Sequence, residues 1–154
     1  MAVGDIKWFG QALLDLGKKV HDLNADTFRL GLVTSATTPT VGMSDPRWAA
    51  GGGTNLTTNQ VPTGTSYTNG GPTLVDTWTL IGGTVPTFRA DVVTINQDAS
   101  GFTTARWGII YNNTDASKRA IAFIDLGSDR SIVSGSLTLD WSGATNDVLT
   151  ITQS

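Results

Sequence analysis

Apolar positions along the chain fall into short runs separated by polar turns, and the densest runs lie between Ala105 and Gly127. Trp107, Ile109, Ile110 and Tyr111 lead into Asn112–Arg119, and Ala120, Ile121, Ala122, Phe123, Ile124 and Leu126 lead out again. Two β-branched and aromatic runs around an Asn/Asp/Ser turn predict a hairpin. The runs are nearly continuous rather than alternating, so both faces of this hairpin are expected to be covered and a second packed layer is implied.

The same reading, taken in chain order, begins with a short, weakly committed arm at Met1–Lys7. Ile6, Phe9, Leu13, Leu16, Val20 and Leu23 follow at helical gaps. With Gly10 and Gly17 weakening the pattern, this predicts one short helix over Trp8–Leu16, closed near Gly17. Lys19–Leu23 reads either as its continuation or as a first strand. Residues 1–23 thus form an N-terminal arm or helix. Asn24–Asp26 is a turn, and the alternation of Phe28, Leu30 and Leu32 with Arg29, Gly31 and Val33 predicts a strand over Thr27–Ser35. Residues 36–72 are rich in Pro and Gly and poor in apolar residues, a long loop-rich crossover of a kind uncommon in compact domains. Within it, Thr54–Val61 reads as an edge strand and Asn69–Pro72 as a turn. Strands are then predicted at Thr73–Leu80, Val85–Ala90, Val92–Ile95, the two arms of the central hairpin, Ser136–Trp141 and Val148–Thr152. The intervening turns fall at Gly82–Gly83, Gln97–Gly101, Gly127–Arg130 and Gly143–Asp147. About eight strands at this spacing predict an all-β fold, a jelly-roll-like β-sandwich, over a single domain 1–154.

Composition agrees with that class. Of 154 residues only 15% are charged, 18 are Gly, and all 13 acidic residues are Asp with no Glu. Glu supports helices while Asp prefers turns and caps, so its absence argues against a mainly helical chain. The net charge of −3 and the lack of any Lys/Arg run leave no electrostatic footprint for nucleic acid. No apolar run approaches a membrane span. The opening Met1–Asp5 lacks the charged-then-apolar order of a secretory signal, which implies synthesis in a cytoplasm. With 0 Cys there is no disulfide framework.

Candidate chemistry is sparse. The single histidine, His21, stands beside Asp22 without a serine elbow, so it reads as a surface or capping residue rather than a catalytic base. Zinc ligand sets are missing. Asp125, Asp129 and Asp140 could converge on a calcium ion, yet no EF-hand-like loop frames them. Gly51–Gly53 is not followed by Lys-Ser/Thr, and the Asn55 and Asn112 sequons carry little weight without an export signal. The chain does not read as an enzyme, and no cofactor or metal is expected. Large aromatics then matter as binding candidates. Trp8 and Phe9 are either core or the tip of an arm that anchors on a neighbour. Trp48 and Tyr67 belong either to a solvated crossover or to a contact loop, and Trp78 and Trp141 lie in strands where core packing is expected.

Four ordered stretches carry a resemblance: DTFRLGLVTS, GTSYTNGGPTL, WGIIYNNTDASKRAIAFIDLG and LTLDWSGATNDVLTITQ. From the Trp8–Phe9 segment onward the chain resembles the capsid cement (decoration) proteins of tailed phages, such as those of Bordetella podoviruses. The resemblance implies a jelly-roll structural protein on the outer capsid surface of the virion, made in the host cytoplasm. It would bridge neighbouring major capsid subunits, often as a homodimer, with a trimer also open. It carries no catalytic residues and maps no contact motif. The contacts expected from the residues themselves are Trp8 and Phe9, Arg47, Trp48 and Tyr67 in the crossover, and Lys118 and Arg119 at the hairpin tip, whose charges would suit an acidic shell. Charge reversal at Lys118 and Arg119 is expected to weaken retention without unfolding. The alternative is a tail-associated receptor- or carbohydrate-binding module displaying Trp48 and Tyr67 as platforms.

Overall fold

A computed structural model describes residues 6–141 and 147–151. The predicted hairpin is its centre: β8 (Ala105–Asn112) pairs antiparallel with β9 (Ala120–Arg130). β2 (Phe28–Val33) flanks β8 and β1 (Ile6–Trp8) flanks β9, giving a four-stranded sheet in the order β1-β9-β8-β2. Residues opposed across antiparallel strands share a face. The register Leu30↔Ile110↔Ala122 and Leu32↔Gly108↔Ile124 therefore builds one apolar face. Gly31, Ile109 and Phe123 build the other.

Both faces are covered, by different means. On the first, Phe88 of β6 (Val85–Ala90) meets Phe28 edge-on at 5.2 Å and Trp8 at 6.5 Å. β6 lies between β5 (Asp76–Ile81) and β11 (Asp147–Thr150), so this antiparallel sheet forms the second layer. A separate two-stranded sheet of β7 (Val93–Ile95) and β10 (Leu137–Leu139) brings Leu139 to the same face, beside Gly108. Gly108 makes room on this face for its neighbours in the sheet: a Cβ there would stand 2.8 Å from Ile124 and 3.1 Å from Leu30. The second face is covered differently. Helix α1 (Gly10–Gly17) and the crossover pack on it, with Phe9 against Phe123 at 4.9 Å and Trp48 lying over Gly31.

The crossover is better ordered than its composition suggests, because it completes β2. The outward N–H groups of that strand need acceptors. Leu30 N donates to Pro72 O (3.0 Å), Leu32 N to the Tyr67 hydroxyl (2.8 Å) and Thr34 N to Asn59 O (2.9 Å), while Val61 N donates to Leu32 O (3.0 Å). Asp98, in the predicted turn at 97–101, clips the crossover from outside, one carboxylate oxygen accepting from Thr65 N and Ser66 N. The crossover's own regular pieces are small: β3 (Pro46–Arg47) and β4 (Thr54–Asn55), paired in parallel, and a 3-10 turn at Leu56–Asn59.

Several expectations need correction. Trp8 belongs to β1, so the helix starts two residues later than the spacing predicts. Its buried residues are Ala12 and Asp15, whereas Leu13 and Leu14 are 50% and 52% exposed, because Asp15 turns inward toward Arg119. Lys19–Leu23 is neither helix nor strand: Lys19 takes a left-handed φ of 59° and ends the helix. The edge strand Thr54–Val61 shrinks to β4 and the 3-10 turn. β9 runs through the predicted turn at Gly127–Arg130, where Gly127 (φ 79°) coincides with a shift in register against β8. Eleven strands form among the described residues rather than eight, since several are only two or three residues long. Residues 1–5 of the arm and 143–146 of the last turn lie outside the described residues.

Candidate partner-contact face

The aromatic side chains expected to reach a partner are mostly interior. Phe9, Trp48 and Tyr67 are buried, at 0%, 7% and 1% exposure. Phe9 points to the opposite face from Trp8, as neighbours along an extended chain must. It packs on Phe123 instead of tipping an arm. Trp48 stacks on Tyr111 with ring centroids 5.3 Å apart and planes 8° from parallel. Tyr67 meets Phe102 edge-on at 5.5 Å, and burial raises its hydroxyl's pKa. Trp8 is half-buried, its indole Nε1 donating to Val148 O (3.0 Å). Trp141 is core, as expected, and Trp78 is only half-buried.

The structure does bring together the other expected residues. Trp48 N donates to Lys118 O (2.8 Å), and Arg47 is bridged to Arg119, which joins the crossover to the tip of the β8–β9 hairpin. The tip is built locally. The side-chain oxygen of Asn112 accepts from Thr114 N (2.9 Å) and Asp115 N (3.0 Å), an Asx-type turn. Lys118 adopts φ 52° and donates through its ammonium to Asn113 O. Asp115 accepts from Arg119 N (3.1 Å) and from its guanidinium (3.2 Å).

Arg119 is therefore a brace rather than a free charge. Its Nε lies 3.6 Å from Asp45 Oδ1 and 3.8 Å from Asp15 Oδ2. Arg47 holds the other oxygen of Asp45, with Nε at 2.9 Å, and this bond keeps the Asp45 carboxyl below the usual carboxylate range. One cation thus ties helix α1, the crossover and the hairpin tip together. Charge reversal at Arg119 would set a carboxylate beside Asp45 and the buried Asp15, so a loss of stability is expected along with any loss of retention.

His21 is the residue that sequence reasoning placed wrongly. It is buried, at 5% exposure, with Nδ1 3.1 Å from the Asn112 amide nitrogen. Asn112 also donates to Asp26 (2.5 Å). Burial lowers the His21 pKa, against opposing pulls from Asp15, Asp115 and Asp26. No spacing signal marks these contacts, because they join segments about ninety positions apart.

A polar cavity of about 320 Å³ opens on the same side, between Arg29, Trp48, Gln60, Asn69 and Tyr111. Its cationic and phenolic groups are committed to the wall: Arg29 Nε donates to Gly71 O (3.0 Å) and Tyr111 to Gly70 O (2.9 Å). Asp125, a candidate calcium ligand, pairs with Arg106 at 2.9 Å. Among the described residues no three His, Asp, Glu or Cys side chains gather as a metal-holding group. The arrangement can present a fixed polar surface. No protein-family model, curated protein or solved structure matches the chain.

Proposed function

We propose that the chain is a structural virion protein that binds the outside of a mature phage capsid and bridges neighbouring major capsid subunits. The observation that carries this reading is the bracing of the crossover to the hairpin tip through Arg119, Asp45, Asp15 and the Trp48–Lys118 backbone bond. Loops fixed before they meet a partner lose little conformational entropy on docking. Their Thr, Ser, Asn and Gly surface adds few long side chains to immobilise. Repetition over a closed lattice then raises retention above any single contact, by about 10²–10⁴. The resemblance of the four sequence stretches supplies the identity of the partner, and the jelly-roll form of the stacked sheets belongs to the same reading. So do a homodimer or trimer and a place on the outer capsid surface.

No catalytic role is part of this proposal. The carbohydrate-binding alternative rested on Trp48 and Tyr67 as exposed platforms, and both lie in the core. Cosedimentation of the purified chain with expanded capsids that lack it tests the proposal. Saturable binding with many copies per particle supports it, and absence of binding sinks it.

A further inference from the structure

The polar cavity of about 320 Å³ beside the Trp48 stack narrows to a notch at Gly70. A Cβ on Gly70 would meet the Tyr111 hydroxyl at 2.7 Å, Arg29 Nη1 at 3.5 Å and Trp48 Nε1 at 3.6 Å, and these are its three nearest atoms. All four residues line the cavity, so the space left by the missing side chain is where their polar atoms converge. The volume is at the small end of ligand sites.

Two of the converging atoms are donors without an acceptor. The bonds that hold the Arg29 side chain to the wall run from Nε and Nη2 to Gly71 O, and they leave the N–H groups of Nη1 unused. Trp48 is 7% exposed, and its Nε1–H meets no acceptor among the described residues. Neither nitrogen is sealed by protein, unlike Gln60 Oε1, which is enclosed without a partner. The Tyr111 hydroxyl donates to Gly70 O (2.9 Å) and fixes the floor beneath them.

The charge in this notch is uncompensated. Arg47, Arg89, Arg106 and Arg119 each have an Asp carboxylate within 4.0 Å. Half-buried Arg29 has none among the described residues, and the rest of its cavity is lined by the neutral Thr57, Gln60 and Asn69. Arg130 also lacks such a partner, but Asp129 lines the cavity beside it. Burial raises the Tyr111 hydroxyl's pKa and the charge of Arg29 opposes that rise, so the cation acts on the wall around it. A partly desolvated cation favours an anion placed beside it.

We propose that this cavity binds a carboxylate group, its oxygens accepting from Arg29 Nη1 and Trp48 Nε1–H. The donor pattern selects the class. Both unused groups are N–H donors, so the ligand must accept, and a cation meets Arg29. A neutral acceptor such as an amide forgoes the charge-assisted bond, which is about twice as strong as a neutral one. A single positive charge in a chain of net charge −3 matches a monoanion better than a phosphate dianion. The carboxylate is either a small free acid or an acidic side chain presented by a partner protein, and the site holds both by the same contacts. The site stands whether or not the chain binds a capsid.

The test is titration of the full chain at neutral pH and fixed ionic strength with acetate, N-acetyl-glutamate amide, acetamide and inorganic phosphate. The readout is the NMR signal of the Trp48 Nε1–H, assigned in the parent chain. Acetate and the blocked glutamate should each shift it saturably, acetamide should not, and phosphate should bind about tenfold more weakly. Arg29→Gln should weaken carboxylate binding about tenfold or more. Should that variant fail to fold, the parent's response to acetate against acetamide decides alone. Equal affinity for acetate and blocked glutamate identifies a free acid, and about tenfold tighter binding of the glutamate identifies a partner's side chain. No shift with either carboxylate at about 0.1 M overturns the proposal. So do an equal response to acetamide, phosphate binding as tight as acetate, and undiminished binding by a folded Arg29→Gln.

Discussion

The indole of Trp48 lies parallel to the phenol ring of Tyr111, 5.3 Å away, in a gap that exists only because residue 31 is glycine. A Cβ on Gly31 would come within 2.3–2.6 Å of the Trp48 six-membered ring. Gly31→Ala should therefore destabilise the protein by about 1–3 kcal/mol through overpacking. Trp48→Ala should cost about 3–5 kcal/mol. Urea denaturation with circular dichroism checks both. A Trp48→Ala variant as stable as the parent would mean that the ring is not part of the core.

Arg119 is the cation shared by Asp15, Asp45 and Asp115. Removing it leaves the buried Asp15 uncompensated, so Arg119→Ala should lose about 2–4 kcal/mol. Asp15→Asn should cost less in the Arg119→Ala background than in the parent, because the two residues act on each other. A double-mutant cycle with additive losses would contradict the brace.

His21 gives the fold a sensitivity to mild acid. Its folded pKa lies below 6.5, chiefly through burial, with Asp15, Asp115 and Asp26 opposing and Arg119 assisting. The neutral ring belongs to the fold, so the stability it contributes is complete above about 6.5 and is lost as pH falls through the folded pKa. Protonation also turns Nδ1 from acceptor to donor, facing the donor amide of Asn112. Thermal midpoints should fall between pH 7.5 and 5. His21→Gln, which keeps an acceptor for Asn112 but does not titrate, should flatten that fall. An unchanged slope in the variant would remove His21 from the account.

Asp76 acts in the opposite direction over part of the same range. It stands on the core-facing side of β5, opposite Ala90, and burial pushes its carboxyl from 3.8 up to about 6. A raised folded pKa means that the contribution is present below about 3.8 and is lost as pH rises through about 6. Asp76→Asn should stabilise the protein at pH 8 by roughly 1 kcal/mol or less, since the group is partly solvated, and the gain should vanish near pH 4. A gain of equal size at both pH values would show that charge is not the cause. The His21 measurement is cleanest in this background.

The sheet framework was readable because it depends on short-range pattern. Ile109, Ile110 and Ile121–Ile124 form a doubly covered run, and Phe28, Leu30 and Leu32 alternate, so β8, β9 and β2 were expected near where they form. The candidate site was less readable because it depends on pairings distant in sequence. Trp48 lacked a partner within its own segment, and that looked like exposure; its partner is Tyr111, 63 positions on. Arg47 and Arg119 were singled out as free charges, and each is neutralised by an Asp that composition assigned to a turn. Asp15 lies outside the stripe of Phe9, Leu13 and Leu16 that helical spacing marks, and only the arrival of Arg119 explains its burial.

The central claim concerns the capsid, and it is tested most directly by adding the purified chain to expanded capsids that lack it. Cosedimentation and mass-spectrometric copy number should be followed by thermal disruption of the particles. The account predicts saturable binding of hundreds of copies per particle and a raised disruption temperature. A chain that stays in the supernatant and leaves the disruption temperature unchanged would contradict it.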